Sequence, residues 1–186
     1  MTPVVAPDVL VVAATEAEAA HVPAGLAVLI TGIGKVSASC AVAGELARRP
    51  GVEVVVNVGT VGALRPGRSG LLLPSRVVDH ELSGDVLAAM GYPVTTEIEL
   101  AGGDGSVLAT GDTFVTDAAL RERLARRADV VDMEGFAVAW AARRAGVECR
   151  LVKHVSDQAD AESLDWPQRV DASARVLGDW LARELR

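Results

Sequence analysis

Residues 130–142 read Val-Val-Asp-Met-Glu-Gly-Phe-Ala-Val-Ala-Trp-Ala-Ala, and the fold is inferred outward from this stretch. A short β-branched run ends in acidic residues, and an Ala-rich helical pattern begins directly after it. The pattern predicts a corner at which Glu134 stands both at the carboxyl end of a strand and at a helix N-terminus. Taken alone, Glu134 is equally well explained as an acid that complements the helix dipole, an effect worth roughly 0.3–1 kcal/mol.

The rest of the chain repeats the alternation of strands and helices. Apolar runs typical of strands lie at 8–14, 27–30, 53–57, 71–80, 106–109 and 149–155. Helical patterns lie at 36–49, 118–127, 135–145 and 165–186. We expect Asp117 to cap the second of these helices and Gly146 to end the third. The alternation predicts an α/β sheet with helices on both faces, in one domain that covers residues 1–186.

Composition excludes several classes of function. The chain has 186 residues, a net charge of -7 and no basic stripe, so we expect no nucleic-acid partner. Cys40 and Cys149 lack metal-site spacing, which argues against zinc and favours a reduced, cytoplasmic setting. No apolar run is long enough to cross a membrane, so we expect a soluble protein without a membrane partner.

The segment 81–104 is the least regular part of the chain. It is rich in glycine, shows little periodicity and carries Met90 and the only tyrosine, Tyr92. We predict a mobile loop or a short helix there, suited to a lid or a subunit contact.

Polar side chains follow nearly every predicted strand. In open α/β sheets ligands bind outside the carboxyl ends of the strands, and capping alone explains such a repeated pattern poorly. Glu16 and Glu18 lie two positions apart and cannot share one helix face, so at most one of them is expected to point over the strand end. The candidates at this edge are Glu16 or Glu18, Thr31, Thr60, His80, Phe114, Glu134 and Asp157.

Five segments together resemble the purine nucleoside phosphorylase superfamily, and in particular the bacterial 5'-methylthioadenosine/S-adenosylhomocysteine nucleosidases. They are TGIGKVSAS (31–39), NVGTVGAL (57–64), TGDTFV (110–115), VVDMEGFAVA (130–139) and HVSDQAD (154–160). The similarity runs in order from about residue 9 to the C-terminus. It implies a three-layer α/β/α domain with a mixed, twisted sheet, and a cytoplasmic homodimeric hydrolase of nucleoside catabolism and methionine salvage without metal or other cofactor.

The resemblance also implies a role for each matching residue. Glu134 would accept hydrogen bonds from the ribose hydroxyls, and Met133 would pack on the sugar. Asp157, protonated, would donate to the purine N7, and Ser156 would orient it. Glu18 would activate the water, and Thr60 would contact the water or phosphate. Phe114 would stack on the base, and the Val115 backbone would read the edge of the base. Met90 and Tyr92 would contact the 5'-substituent across a dimer interface.

The chemistry of an N-glycosidic bond suits these residue types. Its cleavage builds positive charge on the ribose and negative charge on the departing purine, so a neutral acid is needed at the base and carboxylates are needed near the sugar. One acid must stay protonated while another stays ionised. Carboxylates on opposite sides of the sugar leave room for a water, by analogy with inverting glycosidases.

The chain departs from the family pattern at three places, and alternatives stay open. Lys153-His154 replaces the usual Arg-Ala pair, Ala63 replaces a glycine, and the 81–104 segment is short. A phosphate-dependent phosphorylase would need arginines near the first strand ends, whereas Arg48 is the first arginine. A futalosine-type hydrolase, a non-catalytic nucleoside-binding protein and a dinucleotide enzyme are further alternatives, the last without its full glycine fingerprint.

Overall fold

A computed structural model describes residues 8–160 and 166–185, and for Pro167 it describes the backbone alone. Within these ranges the strands are β1 (Val9–Ala13), β2 (Ala27–Ile30), β3 (Val54–Ala63), β4 (Leu71–Leu72), β5 (Arg76–Asp79), β6 (Glu97–Glu99), β7 (Val107–Thr110), β8 (Val130–Asp132) and β9 (Glu148–Asp157). The helices are α1 (Lys35–Arg48), α2 (Gly84–Ala89), α3 (Ala118–Leu124), α4 (Gly135–Ala145) and α5 (Trp166–Glu184). The predicted first and last residues of the final helix, Asp165 and Arg186, lie outside the described residues.

The described strands form one mixed sheet, as expected. Its order is β2-β1-β3-β8-β7-β5-β6, and β9 pairs in parallel with β3 along nearly the whole of that strand. Strands β1, β2, β3 and β9 run parallel to one another, and β5, β7 and β8 form a second parallel set. The two sets meet where β3 pairs antiparallel with β8, at Gly62 opposite Val131. The ends of the two strand sets therefore approach each other from opposite directions. The expectation that all strands end at one shared edge is wrong, because the two sets meet at a seam.

Helices cover both faces of the sheet because the buried strands alternate apolar side chains between them. On β1, Leu10 and Val12 pack in a cluster with residues of α1 and α4, whereas Val11 and Ala13 pack with Leu177, Trp180 and Leu181 of α5. The result is the predicted three-layer α/β/α arrangement.

Two predicted helix ends are confirmed by their local geometry. The Asp117 side chain accepts a hydrogen bond of 2.8 Å from the Leu120 N–H and caps α3. Gly146 ends α4 in a left-handed conformation with φ of 74°, which glycine adopts without a Cβ penalty.

Several predicted boundaries are wrong. The 53–57 strand continues to Ala63, so Thr60 lies within a strand and not in a loop. Likewise β9 extends through Ser156 and Asp157. Residues 16–21 form turns, which is one of the two arrangements, a turn or a helix start, that this segment allows. The 71–80 strand divides into β4 and β5 around Pro74, which is the irregularity that a proline in a strand predicts, since proline cannot donate to a sheet ladder.

No helix in the described ranges is long and apolar enough to cross a membrane.

Candidate active site

A cavity that is open to solvent lies over the seam between the two strand sets. Its walls combine acids with hydroxyl groups and apolar side chains. The lining residues are Ala14, Thr15, Glu18, Ile33, Thr60, Val61, Gly62, Thr113, Phe114, Val115, Val131, Asp132, Met133, Glu134, Ser156, Asp157, Ala159 and Trp166. Eight predicted site residues are thus brought together, namely Glu18, Thr60, Phe114, Val115, Met133, Glu134, Ser156 and Asp157.

Glu18 follows β1 on a turn that directs its side chain inward, and the residue is only 5% exposed. Its Oε1 accepts hydrogen bonds from the Thr60 N–H at 2.8 Å and from the Thr60 hydroxyl at 2.9 Å. Its Oε2 accepts one from the Thr15 hydroxyl at 3.2 Å. Glu16, by contrast, is exposed, so the turn selects one of the two acids.

Glu134 stands at the N-terminus of α4 and is 9% exposed. Its Oε1 accepts a hydrogen bond of 2.8 Å from the Gly34 N–H, which links the glycine turn before α1 to the acid. Burial, and then repulsion from the Asp132 carboxylate, raise the pKa of Glu134 to about 7, against the opposing effects of the Gly34 N–H and Lys153. The carboxyl is therefore poised to titrate near neutral pH.

Asp157 is the last residue of β9 and is 7% exposed. Its Oδ1 accepts a hydrogen bond of 2.9 Å from the Ala159 N–H, and its Oδ2 accepts one of 2.7 Å from the Ser156 hydroxyl. These bonds fix the orientation of the carboxyl group where it faces the cavity.

Beneath the cavity lies a buried ion pair between Lys153 and Asp132. The Lys153 ammonium is 2.9 Å from Asp132 Oδ2 and donates to Asn57 Oδ1 at 2.7 Å. Burial lowers the pKa of Lys153, but the carboxylates of Asp132, Glu134 and Glu18 outweigh that effect, so the net shift is upward. Asp132 Oδ1 also accepts from the Thr110 hydroxyl at 2.6 Å. One cation thus offsets part of the negative charge under the cavity.

Two glycines of the 57–64 segment make room for these charged groups. A Cβ at Gly59 would lie 3.2 Å from Glu18 Oε1 and 3.3 Å from the Lys153 ammonium. A Cβ at Gly62 would lie 3.0 Å from Asp157 Oδ1 and 2.9 Å from the Ala159 Cβ. The glycines therefore permit close approach to a strand and do not form a turn.

The loop after β7 carries Phe114 to the cavity mouth, where its side chain is 45% exposed. Glu81 holds this loop by accepting hydrogen bonds from the N–H groups of Asp112 and Thr113 and from the Thr113 hydroxyl. Lys35 forms ion pairs with both Glu81 and Asp79, at 2.8 and 3.2 Å. Burial by itself raises the pKa of Glu81. The hydrogen bonds from Lys35, Asp112 and Thr113 outweigh burial and bring this pKa down to about 2.

The other predicted residues lie outside the cavity wall. Met90 and Tyr92 are exposed by 65% and 68%. The Thr31 hydroxyl donates to the Gly32 carbonyl, and His154 Nδ1 lies 2.9 Å from the Ser173 hydroxyl. His80 lines a separate polar hollow near α2, and burial lowers its pKa.

The sequence does not predict the positions of Asp132, Lys153 and Trp166 in or beneath the site. A lysine inside the apolar strand Leu151-Val152-Lys153 is a usable signal, because a buried lysine requires a charged partner. No comparable signal places Trp166 against Thr60, since more than a hundred residues separate them. Among the described residues, no group of three or more histidine, cysteine or acidic side chains has the arrangement of a metal site.

Comparison with known proteins agrees with this geometry. A sequence model of the phosphorylase superfamily matches residues 104–181. An aminodeoxyfutalosine nucleosidase of Helicobacter pylori strain J99 is 30% identical over 112 residues, which are 59% of this chain and 48% of that protein. The chain therefore spans about half the length of this curated relative in the match.

Solved structures share the fold over nearly the whole chain. A 5'-methylthioadenosine/S-adenosylhomocysteine nucleosidase of Helicobacter pylori superposes with a TM-score of 0.82 at 22% identity, covering 96% of this chain and 97% of that one. The corresponding nucleosidase of S. pneumoniae gives a TM-score of 0.80 at 20% identity, covering 93% and 96%. Residues 104–181 thus match the sequence model of the phosphorylase superfamily, and the described chain has the fold of these solved nucleosidases.

Proposed function

We propose that this protein hydrolyses the N-glycosidic bond of a purine nucleoside. The observation that carries the proposal is the convergence of three buried acids, Glu18, Glu134 and Asp157, on one cavity that Phe114 borders. Three carboxyl groups in one partly apolar cavity are costly unless they serve chemistry.

Each acid has a distinct task in this mechanism. Glu134 accepts hydrogen bonds from the ribose hydroxyls through the acceptor sites that the Gly34 N–H leaves on its carboxylate. Asp157, in its protonated form, donates to the purine N7 and so neutralises the departing base. Glu18 takes a proton from the attacking water, while its negative charge favours the positive charge that develops on the ribose.

Apolar and aromatic groups position the nucleoside. Phe114 stacks on the purine, the Val115 backbone reads its edge, and Met133 packs on the sugar. Ser156 orients Asp157 through their 2.7 Å bond, and Thr60 orients Glu18.

Water fits this cavity better than phosphate as the nucleophile. Among the described residues that line it there is no lysine, arginine or histidine, whereas four carboxyl groups do line it. Of the cations close to this lining, Lys153 is committed to Asp132 and Asn57, and the Arg169 guanidinium donates to the Ser156 carbonyl. An anion would therefore meet net negative charge, which also disfavours nucleotides relative to nucleosides.

We propose a 5'-methylthioadenosine or S-adenosylhomocysteine type of substrate, as the resemblance implies. The similarity to an aminodeoxyfutalosine nucleosidase makes that nucleoside the second candidate. We further propose that the protein acts as a homodimer in which Met90 and Tyr92 of each subunit approach the neighbouring cavity.

The deciding experiment measures release of free base from methylthioadenosine, S-adenosylhomocysteine, aminodeoxyfutalosine, adenosine and inosine, each with and without inorganic phosphate. We expect release without phosphate from at least one of the first three. Strict dependence on phosphate would identify a phosphorylase, and no release from any nucleoside would favour a binding protein.

The acid role of Asp157 is tested with the variant Asp157→Asn. We expect it to lose turnover at least a hundredfold, because the amide cannot supply a proton, while ligand affinity stays within about tenfold. Normal hydrolysis by this variant would refute the role.

A further inference from the structure

Trp166, the first residue of α5, reaches the group proposed to activate water. Its indole Nε1–H donates a hydrogen bond of 2.7 Å to the Thr60 hydroxyl, and that hydroxyl donates to Glu18 Oε1 at 2.9 Å. All three side chains line the same cavity.

The direction of this chain of hydrogen bonds is fixed by chemistry. An indole N–H can only donate, so the Thr60 oxygen must accept from Trp166. The one hydroxyl proton of Thr60 is then left for Glu18, and a rotation of the hydroxyl toward the indole is excluded. Thr60 is thus committed as a donor to the acid.

This commitment distinguishes the two oxygens of Glu18. Oε1 receives two hydrogen bonds from Thr60, one from its N–H and one from its hydroxyl. Within the described residues, Oε2 receives one bond, the longer one of 3.2 Å from Thr15. Oε2 therefore keeps the better acceptor position for a water in the cavity.

We propose that Trp166 is a positioning residue that acts through Thr60 to present Glu18 Oε2 to the attacking water. The inference rests on the proposed hydrolase function. It couples the C-terminal helix to the reaction, since α5 reaches Glu18 through Trp166 and Thr60.

Kinetics of Trp166→Phe test the proposal, because this exchange keeps an aromatic ring and removes only the N–H donor. We expect kcat to fall about three- to tenfold, the equivalent of one neutral hydrogen bond, with KM within twofold. Trp180→Phe is the matched control on the same helix, since Trp180 packs in the core against Leu177 and Leu181, and its kcat should equal that of the wild type.

A double-mutant cycle separates positioning from general damage. Thr60→Val should lower kcat at least as much as Trp166→Phe, and the double variant should lose no more than Thr60→Val alone, because the indole acts only through the hydroxyl. Wild-type kcat in Trp166→Phe, or losses that multiply in the double variant, would overturn the proposal.

Nuclear magnetic resonance tests the hydrogen bond between Trp166 and Thr60 without an activity measurement. The chain has three tryptophans, so the ¹⁵N-labelled protein gives three indole N–H resonances, and Trp166→Phe identifies one of them. In Thr60→Val this resonance should move upfield and exchange faster with solvent, and an unchanged resonance would refute the hydrogen bond. If the wild type releases no base while this resonance responds, the proposed function fails and the contact stands.

Discussion

Glu134 shows at the residue scale how burial sets a pH response. Its pKa of about 7 in the folded protein lies above the usual value of 4.5, so the folded state binds a proton more readily than the unfolded chain. The associated stability is fully present below about pH 4.5 and is lost as pH rises through about 7. At the alkaline end of this pH range Glu134 is therefore ionised, which is the charge state that stabilises the ligand-free fold least.

Binding should follow the opposite trend, because ionised Glu134 accepts two ribose hydroxyls better than the neutral acid does. We predict that KM falls as pH rises from about 6 to 8, while the free energy of unfolding falls by an amount on the order of 1 kcal/mol. Steady-state kinetics and urea unfolding across this range measure both quantities. In Glu134→Gln both dependences should weaken, and a wild-type KM that is equal at pH 6 and pH 8 would contradict the assignment.

The buried ion pair of Lys153 with Asp132 affects the stability of the fold. Its ammonium is buried with Asp132, and removal of one partner of a buried pair leaves an uncompensated charge. We predict that Lys153→Met lowers the free energy of unfolding by about 3–5 kcal/mol. Urea denaturation measures the loss.

The double variant Lys153→Met with Asp132→Asn is the comparison for this prediction. The amide carbonyl that replaces the carboxylate can still accept from the Gly135 N–H, while neither charge of the buried pair remains. The double variant should recover part of the stability that Lys153→Met loses. A double variant less stable than the single one would show that packing, and not charge, sets the cost.

At the scale of elements, ion pairs hold the segment that carries Phe114. Glu81 joins the end of β5 to the loop after β7, and Lys35 joins both to the start of α1. Because the bonds to Glu81 hold its pKa near 2, their contribution is present above pH 4.5 and is lost as pH falls through about 2. The loop is thus anchored throughout the neutral range.

Glu81→Ala should release this loop without unfolding the protein. We predict faster hydrogen exchange at the Asp112 and Thr113 amides and an increase in KM of about tenfold, since Phe114 is no longer held over the purine site. Glu97→Ala is the matched control, because Glu97 pairs with Arg76 and Arg127 away from the loop. Unchanged exchange at Thr113 in Glu81→Ala would contradict the anchoring role.

The same elements show what the sequence could predict. Periodicity predicted the described strands except β6, which lies in the irregular 81–104 segment, and the polar residues after the strands predicted the cavity acids other than Asp132. It failed at the carboxyl end of β3, where the glycines of the 57–64 segment are more typical of a loop than of a strand. Tertiary structure explains why glycine stands at these positions: Gly59 and Gly62 leave space for Glu18 and Asp157, which come from distant segments.

At the scale of the whole molecule, the cavity lies where two parallel strand sets meet antiparallel. Glu18 and Asp157 come from the β1 and β9 side, and Glu134 comes from the β8 side. Acids from opposing sets can thus surround one ligand. This arrangement differs from an open sheet whose strands all end at one edge.

Large apolar side chains are exposed on and just after α2 and around the start of α1. Helix α2 has no buried residue, and Val86, Met90 and Tyr92 are exposed by 60%, 65% and 68%. Ile33 and Val36, which flank Lys35, are exposed by 56% and 73%. Exposed apolar side chains of this size suit a subunit interface, as the proposed homodimer requires.

Complementation between two defective subunits tests whether this surface completes the neighbouring site. Met90→Ala with Tyr92→Ala should lower kcat/KM about tenfold or more while light scattering still reports a dimer, because each side chain would be missing from the other subunit's cavity. Asp157→Asn supplies intact Met90 and Tyr92 but cannot protonate the base. A refolded mixture of the two should therefore gain activity above the sum of its parts, since the mixed dimer holds one complete site. Val28→Asp, on the β2 end of the sheet, is the control substitution and should leave activity unchanged. A mixture with only additive activity, or a monomeric wild type, would refute a shared site.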